Sequence, residues 1–294
     1  MKDRARSTIT VLQDYLELTK PRITILILVC AAVGYWFGCC ISFHCSILAH
    51  ALLGTGLLAS GTSALNQWYE VDSDAKMRRT RRRPLPAGRI KRTHGLAFGL
   101  LLSVAGFTDL WVGTNALAAA LGLFTLLSYL LLYTPLKQRS PICTTVGAIP
   151  GAMPPLIGYA TAGHGIDLSA LALFLILFVW QFPHFDAIAW IYRDDYARSG
   201  ICMLPVIDPD GKATTRRIMF SSVLLIPISL VPRFLGMAGA LYAGAAIAGG
   251  TGLLYFGARL RHQRTLPAAR ALLLATVSYL PVLLGVMVVD RRIL

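Results

Sequence analysis

Charge is the scarcest commodity in this sequence. Only 14% of its 294 residues are Asp, Glu, Lys or Arg, against about 25% in soluble domains. With 55% hydrophobic residues and a mean hydropathy of +0.61, that deficit excludes a large soluble domain. The six cysteines, Cys30, Cys39, Cys40, Cys45, Cys143 and Cys202, form no CxxC pair. No Cys/His set has zinc spacing, so a zinc module and a disulfide scaffold are excluded. Most of these thiols fall in apolar runs, where a free thiol behaves as a small hydrophobe. Cys39, Cys40 and Cys45 are the one group placed where a disulfide is conceivable. A cleavable leader is not expected either: residues 1–22 are too polar, and the apolar run after Arg22 is longer than a signal core.

Asp, Glu, Lys and Arg are absent from long stretches: 23–69, 93–108, 110–136, 140–166, 168–185, 218–232, 234–258 and 271–289. A spanning helix needs about 20 mainly apolar residues. The first stretch holds two helices, split by the polar break around Ser42–Ser46, and the others hold one each. The expected fold is therefore an all-α polytopic membrane domain, 1–294, with about nine transmembrane helices around a central cavity. The segment LQDYLELTKPRI, ending at Ile23, reads as an amphipathic helix on the membrane surface.

The net charge of +14 invites a nucleic-acid reading, but its distribution argues against one. With an inside N-terminus, inside segments hold 25 of the 28 Lys and Arg residues, leaving Arg233, Arg291 and Arg292 outside. That is the bias that orients membrane helices. No nucleic-acid partner is expected; the partner is the lipid bilayer. The N-terminal segment 1–22 and the two long loops, 67–93 and 193–217, are expected in the cytoplasm of a plasma (inner) membrane protein. Elaborated loops on one face point to chemistry on that face.

The first loop reads NQWYEVDSDAKMRRTRRRPLPAG from Asn66. Asn66, Glu70 and Asp74 are spaced i, i+4, i+8 and share one face of a continuing helix. Asp72 falls about 200° from Glu70 and points elsewhere unless the helix unwinds. An ordinary solvated loop explains the Arg residues alone. It does not explain three of the chain's 14 acids within five residues at a membrane boundary, where like charges require an offsetting cation or protons. The second loop reads WQFPHFDAIAWIYRDDYARSGICMLPVIDPDG from Trp180. Asp194 and Asp195 are adjacent, flanked by Arg193, Tyr192 and Tyr196, and His184 lies three helical turns before Asp195, on the same face of a continuing helix. A surface helix end would also look like this pair. Each loop nevertheless runs from a polar residue (Asn66, His184) through acids and bases to Leu-Pro, which suggests a weak internal repeat.

Carboxylates with an amide oxygen suit Mg²⁺, which takes oxygen ligands and is typically completed by substrate phosphates. Arg forks onto phosphate oxygens bidentately. Both at the mouth of an apolar bundle suit an amphiphile with a diphosphate head. Aromatics near the inner ends, among them Trp68, Tyr133, Trp180, Phe182 and Tyr192, could face an allylic cation, although packing or an interfacial belt explains any one of them better. A transporter is the competing class, but transporters place ionisable groups near the midplane. Here the only acid well inside an expected span is Asp109, close to its outer end.

The first loop resembles the NxxxDxxxD signature of the UbiA superfamily of intramembrane prenyltransferases. The strings RRTRRRPLPAGRI, YTPLKQRSPICTTVGAIPGAMPPLIGY and WQFPHFDAIAWIYRDDYARSGICMLPV are similar to the haem branch, the protohaem IX farnesyltransferases. The resemblance runs from Thr19-Lys20-Pro21-Arg22 to the C-terminus. It implies farnesyl diphosphate and haem B as substrates, Mg²⁺ as cofactor, and haem-handling membrane proteins as further partners. The product it implies is haem O, a hydroxyethylfarnesyl haem. It makes Asn66, Glu70, Asp72, Asp74, Asp194 and Asp195 the catalytic set, with Asn66, Glu70, Asp74 and Asp195 on the metal. Arg79, Arg83, Lys137 and Arg193 would hold the diphosphate, and His184, Tyr192 and Trp180 the haem. Two departures stand out. Position 70 is Glu where Asp is usual. Tyr192 and Tyr196 stand where quinone-type members carry acids, which favours haem over a quinone-precursor ring. His164 and the prolines around Gly147 and Gly151 read as architecture.

Overall fold

The computed structural model describes residues 8–39, 43–163 and 165–291. Cys40, His164 and Arg292 lie outside the described residues. A first short helix, α1 (Thr8–Leu18), leads into α2 (Pro21–Gly38) and α3 (Cys45–Tyr69). After a six-residue α4 (Val71–Lys76), the chain runs through turns to α5 (Arg92–Gly113) and α6 (Ala116–Leu127). A π-helical turn, Ser128–Tyr133, carries α6 into the single turn α7 (Thr134–Leu136). Then come α8 (Cys143–Gly151), α9 (Met153–Thr161), α10 (Leu168–Ile191), α11 (Arg193–Ser199) and α12 (Leu204–Ile207). Three long helices finish the chain: α13 (Lys212–Phe234), α14 (Ala240–Gln263) and α15 (Leu266–Val289).

Among the described residues, eight helical segments are long and apolar enough to cross a membrane. The ninth expected span, 140–166, is the broken pair α8 and α9. Its sequence explains the break. Pro150 sits inside α8, Pro154 opens α9, and neither can supply the backbone N–H that a continuous helix needs. The span expected over 168–185 in fact extends to Ile191, so Asp186 is a second acid inside a spanning helix. Buried at 1% exposure, it is held by Arg217 of α13 (Nε to Oδ2 2.8 Å). Asp109 pairs with His50 (Oδ1 to Nδ1 2.9 Å) near the far end of α3 and α5.

Helix ends follow local chemistry. Asn115 and Asp167 accept the N–H of Ala118 and Ala170, both at 2.9 Å, capping α6 and α10. Proline opens α2 and α15, where its missing N–H costs nothing. Packing between α2 and α9 is close enough that a Cβ on Gly34 or Gly158 would overlap the backbone of Pro155 or Ala31. Gly147 lies against the Tyr133 ring and Gly151 against Gln181, so the GxxxG pair serves contact between helices, as its spacing suggests.

The α1 helix is amphipathic, as expected. Ile9, Leu12 and Leu16 are exposed, while Leu18 is buried and Asp14 turns inward onto Arg89 (Oδ1 to Nε 2.7 Å). Among the described cysteines all are free thiols, Cys39 and Cys45 included. At the opposite end Arg291 donates to the Cys39 carbonyl (2.8 Å) and lies over Trp36, tying the last helix to the second.

Candidate active site

The expected acid face survives, but through a hinge. At Glu70 (φ −91°, ψ 10°) the α3 axis breaks, and α4 restarts after it. Hydrogen bonds from Glu70 N to Asn66 O (2.9 Å) and from Asp74 N to Glu70 O (2.8 Å) bridge the break. The i, i+4, i+8 register is therefore kept. Asn66, Glu70 and Asp74 are all buried, at 2%, 8% and 1% exposure. A second hinge at Tyr192 (φ −109°, ψ 20°) separates α10 from α11. Each of the two loops thus opens with a long helix, a hinge and a short helix. The same hinge ends the expectation that His184 and Asp195 share one helical face, because the helix does not continue between them.

Each buried acid of the first loop meets a cation from elsewhere. Lys137, just past α7, donates to Glu70 Oε1 at 2.8 Å and lies over the Tyr133 ring. Arg83 donates to Asp74 Oδ2 at 2.7 Å. Lys20 donates to Asn66 Oδ1 at 3.4 Å, and Asn66 Nδ2 donates to Thr134 at 3.3 Å. The π-helical turn shifts the register of α6 to bring Thr134 and Lys137 here, a common use of such turns.

Electrostatics follow from burial and pairing. Burial alone would raise the Glu70 carboxyl, but the charge and hydrogen bond of Lys137 hold it below its usual range. Burial opposes the Lys137 charge as well, yet Glu70 carries its ammonium well above the ordinary lysine value. Lys20 is the reverse case. Burial first, then the charges of Arg83 and Lys137, push its ammonium down to about 7. Such a cluster is short of negative charge, and an anionic ligand would relieve it.

Asp195 is buried and occupied. Its two oxygens accept the backbone N–H groups of Arg78 and Arg79, both at 3.3 Å, and Arg198 pairs with Oδ1. These contacts strap the basic loop to α11, and Asp195 is paired with a cation just as Glu70 and Asp74 are. Arg79 lies 4.9 Å from the Tyr192 ring centroid and reaches the Tyr196 hydroxyl.

Three expected residues are not brought in. Asp72 is exposed and bound to Arg92 (2.6 Å), as its 200° offset requires once the helical register persists. Asp194 is exposed beside Arg193 (3.8 Å), and Arg193 stacks over Trp190 instead of facing the acids. The acceptor set divides too. Trp180 donates to the Thr276 carbonyl (2.9 Å) and His184 Nδ1 meets the Thr276 hydroxyl (3.0 Å), the two rings stacked at 4.7 Å. Tyr192 stands apart, beneath Arg79. Lys20, Thr134 and Arg198 were not singled out from sequence. The one available signal was Lys20 standing before Pro21 at the start of the first span; the others are visible only as contacts.

The donor set fits a magnesium ion. Among the described residues no three acids close on one point. What converges is an amide oxygen and two carboxylates at the end of one helix. This matches a cation held by one or two carboxylates and completed by substrate phosphate, not an all-protein cage.

Comparison with known proteins identifies the family and the fold. The sequence model of the UbiA prenyltransferase family matches residues 27–280. The chain is 54% identical to the protoheme IX farnesyltransferase of Solibacter usitatus (strain Ellin6076), over 95% of this chain and 99% of that one. A solved digeranylgeranylglyceryl phosphate synthase superposes with a TM-score of 0.79 at 19% identity, covering 96% of this chain and 98% of that one. A UbiA homologue from Archaeoglobus fulgidus, bound to GPP and Mg²⁺, superposes with a TM-score of 0.71 at 15% identity, over 93% of this chain and 99% of that one. The chain belongs to the UbiA prenyltransferase family, and it is a membrane-embedded prenyltransferase.

Proposed function

We propose that the chain transfers the farnesyl group of farnesyl diphosphate to a vinyl group of haem B, releasing diphosphate and giving haem O. One observation carries the reading of the site. Asn66, Glu70 and Asp74 share a buried face on which Lys20, Arg83 and Lys137 also converge. Acids for a hard cation and bases for phosphate thus meet at one end of an apolar bundle. The name of the 54% identical relative supports farnesyl and haem as the substrates. The Archaeoglobus fulgidus neighbour, bound to GPP and Mg²⁺, supports a prenyl diphosphate held with a metal.

In this proposal Asn66, Glu70 and Asp74 hold the Mg²⁺, which when bound neutralises charge on the diphosphate. Lys20, Arg83 and Lys137 bind the remaining phosphate oxygens. Arg79, set by Asp195 and Tyr192, adds a bidentate fork. The allylic C–O bond breaks with both electrons leaving on diphosphate, where these cations stabilise them. The Tyr129 and Tyr133 rings, 4.9 Å apart beside Lys137, offer π faces to the allylic cation. Electrons of the haem vinyl group close the new C–C bond. Water then adds to the resulting carbocation and loses a proton, which leaves the hydroxyl. Tyr192 contacts the acceptor near Arg79, and His184, its Nδ1 engaged by Thr276, has Nε2 with which to meet haem. The site face and the N-terminus are cytoplasmic, on the charge bias of the loops.

The test is incubation of purified protein with haem B, farnesyl diphosphate and Mg²⁺, then mass analysis of the haem. Haem gaining a farnesyl group and water supports the proposal. Unchanged haem alongside prenylation of a quinone-precursor ring would replace the acceptor.

A further inference from the structure

A second basic site lies apart from the one above. A cavity of about 560 Å³ is lined by Lys212 and Arg216 from the start of α13, Arg261 from the last turn of α14, and Arg264 just beyond it. Asp208 is the one acid in its lining, and both the backbone N–H and the hydroxyl of Thr214 hold it, at 2.8 and 2.9 Å. Among the described residues Arg216, Arg261 and Arg264 form no ion pair. Lys212 has only Asp210, at 3.5 Å and well exposed. Both helices are spanning segments, and these cations sit at their ends on the face that carries the candidate active site.

Membrane orientation alone accounts for basic residues on this face. It does not account for three features of these four. First, they come from segments some fifty residues apart and still converge on one hollow. Second, Lys212 and Arg216 are cations in the first turns of α13, where the helix dipole disfavours positive charge and favours an anion. Third, Arg264 is held in the left-handed region (φ 51°, ψ 35°), where glycine is the ordinary occupant. Among the described residues only one other non-glycine has positive φ, and it is Lys20, in the candidate active site. Such a conformation persists only where the surrounding structure imposes it.

Below the cations α13 turns apolar on the same flank. Phe220, Val223 and Leu224 follow Lys212 and Arg216 at helical spacing and are 69%, 52% and 37% exposed. A ligand seated here would have its anionic part among guanidinium groups and its hydrocarbon against Phe220. The geometry points to a binding site for the headgroup of an anionic phospholipid of the adjacent leaflet, with its phosphodiester between Arg216, Arg261 and Arg264. This site is separate from the prenyl-diphosphate site and does not depend on the assignment of the acceptor.

Thermal unfolding in micelles doped with phosphatidylglycerol or phosphatidylcholine tests this, together with native mass spectrometry of retained lipid. The wild type should be stabilised by phosphatidylglycerol and should retain it, and phosphatidylcholine should do neither. Arg216→Gln/Arg261→Gln should raise the half-saturating phosphatidylglycerol fraction about thirtyfold, the loss expected for two cations removed from an anionic lipid surface. Arg264→Gly is the more telling variant, since it removes a cation and relieves strain together. It should match or exceed the wild-type Tm in phosphatidylcholine yet respond less to phosphatidylglycerol. Prenyl transfer in phosphatidylcholine should be unchanged in both variants. Equal phosphatidylglycerol responses in wild type and variants would overturn the proposal. So would protection by inorganic phosphate equal to that by the lipid, since the site would then take a free anion.

Discussion

Replacing Asp195 with asparagine separates two roles that its sequence position leaves confounded. In the structure both carboxylate oxygens are engaged, by Arg78 N–H and Arg79 N–H at 3.3 Å and by Arg198. Asparagine keeps one acceptor oxygen and loses the charge. A hydrogen bond to a charged group contributes about 1.5–3 kcal/mol. The two backbone bonds are long and Arg198 is partly exposed, so a total loss of about 1.5–3 kcal/mol is expected. If that loss falls on the position of Arg79, it corresponds to roughly a 10- to 150-fold rise in KM for farnesyl diphosphate. The assay is initial-rate farnesyl transfer with farnesyl diphosphate and Mg²⁺ varied independently. A strap predicts a raised KM for the diphosphate and an unchanged half-saturating Mg²⁺. A raised Mg²⁺ requirement with unchanged diphosphate KM would refute the strap and return Asp195 to the metal.

Other variants test the remaining assignments. Asp74→Ala should abolish transfer yet still insert, since Asp74 lies at the end of the bundle; full activity would sink the metal site. Lys137→Met leaves Glu70 buried without its cation and should destabilise the fold by about 3–5 kcal/mol. Adding Glu70→Gln should restore much of the melting temperature but not turnover, and recovery of turnover would show that neither charge serves catalysis. Asp72→Asn and Asp194→Asn should keep wild-type kcat and KM, because both side chains are exposed; a large loss in either would place it back in the site. Gly158→Ala should lower stability by about 1–3 kcal/mol through overlap with Ala31, read by thermal unfolding.

Much of this protein was legible along the chain because the relevant constraints are local. A hydrocarbon layer demands long uncharged runs, so the helix count could be read from the gaps between charges. A helical repeat of 3.6 residues put Asn66, Glu70 and Asp74 on one face and Asp72 off it, and the structure keeps that register across the Glu70 hinge. The same arithmetic failed for His184 and Asp195, since nothing local to Tyr192 announces that α10 stops there.

Pairing is a different matter, because contacts between distant segments carry no periodic signal. The sequence determined which residues carry charge, which faces they share and which end of the bundle they occupy. Only tertiary structure decided that Lys137 answers Glu70, that Lys20 reaches Asn66 across 46 positions, and that Asp195 holds the basic loop. The physical reason is that a buried charge must find a partner in space. Which partner it finds depends on how the helices pack, not on which residue comes next.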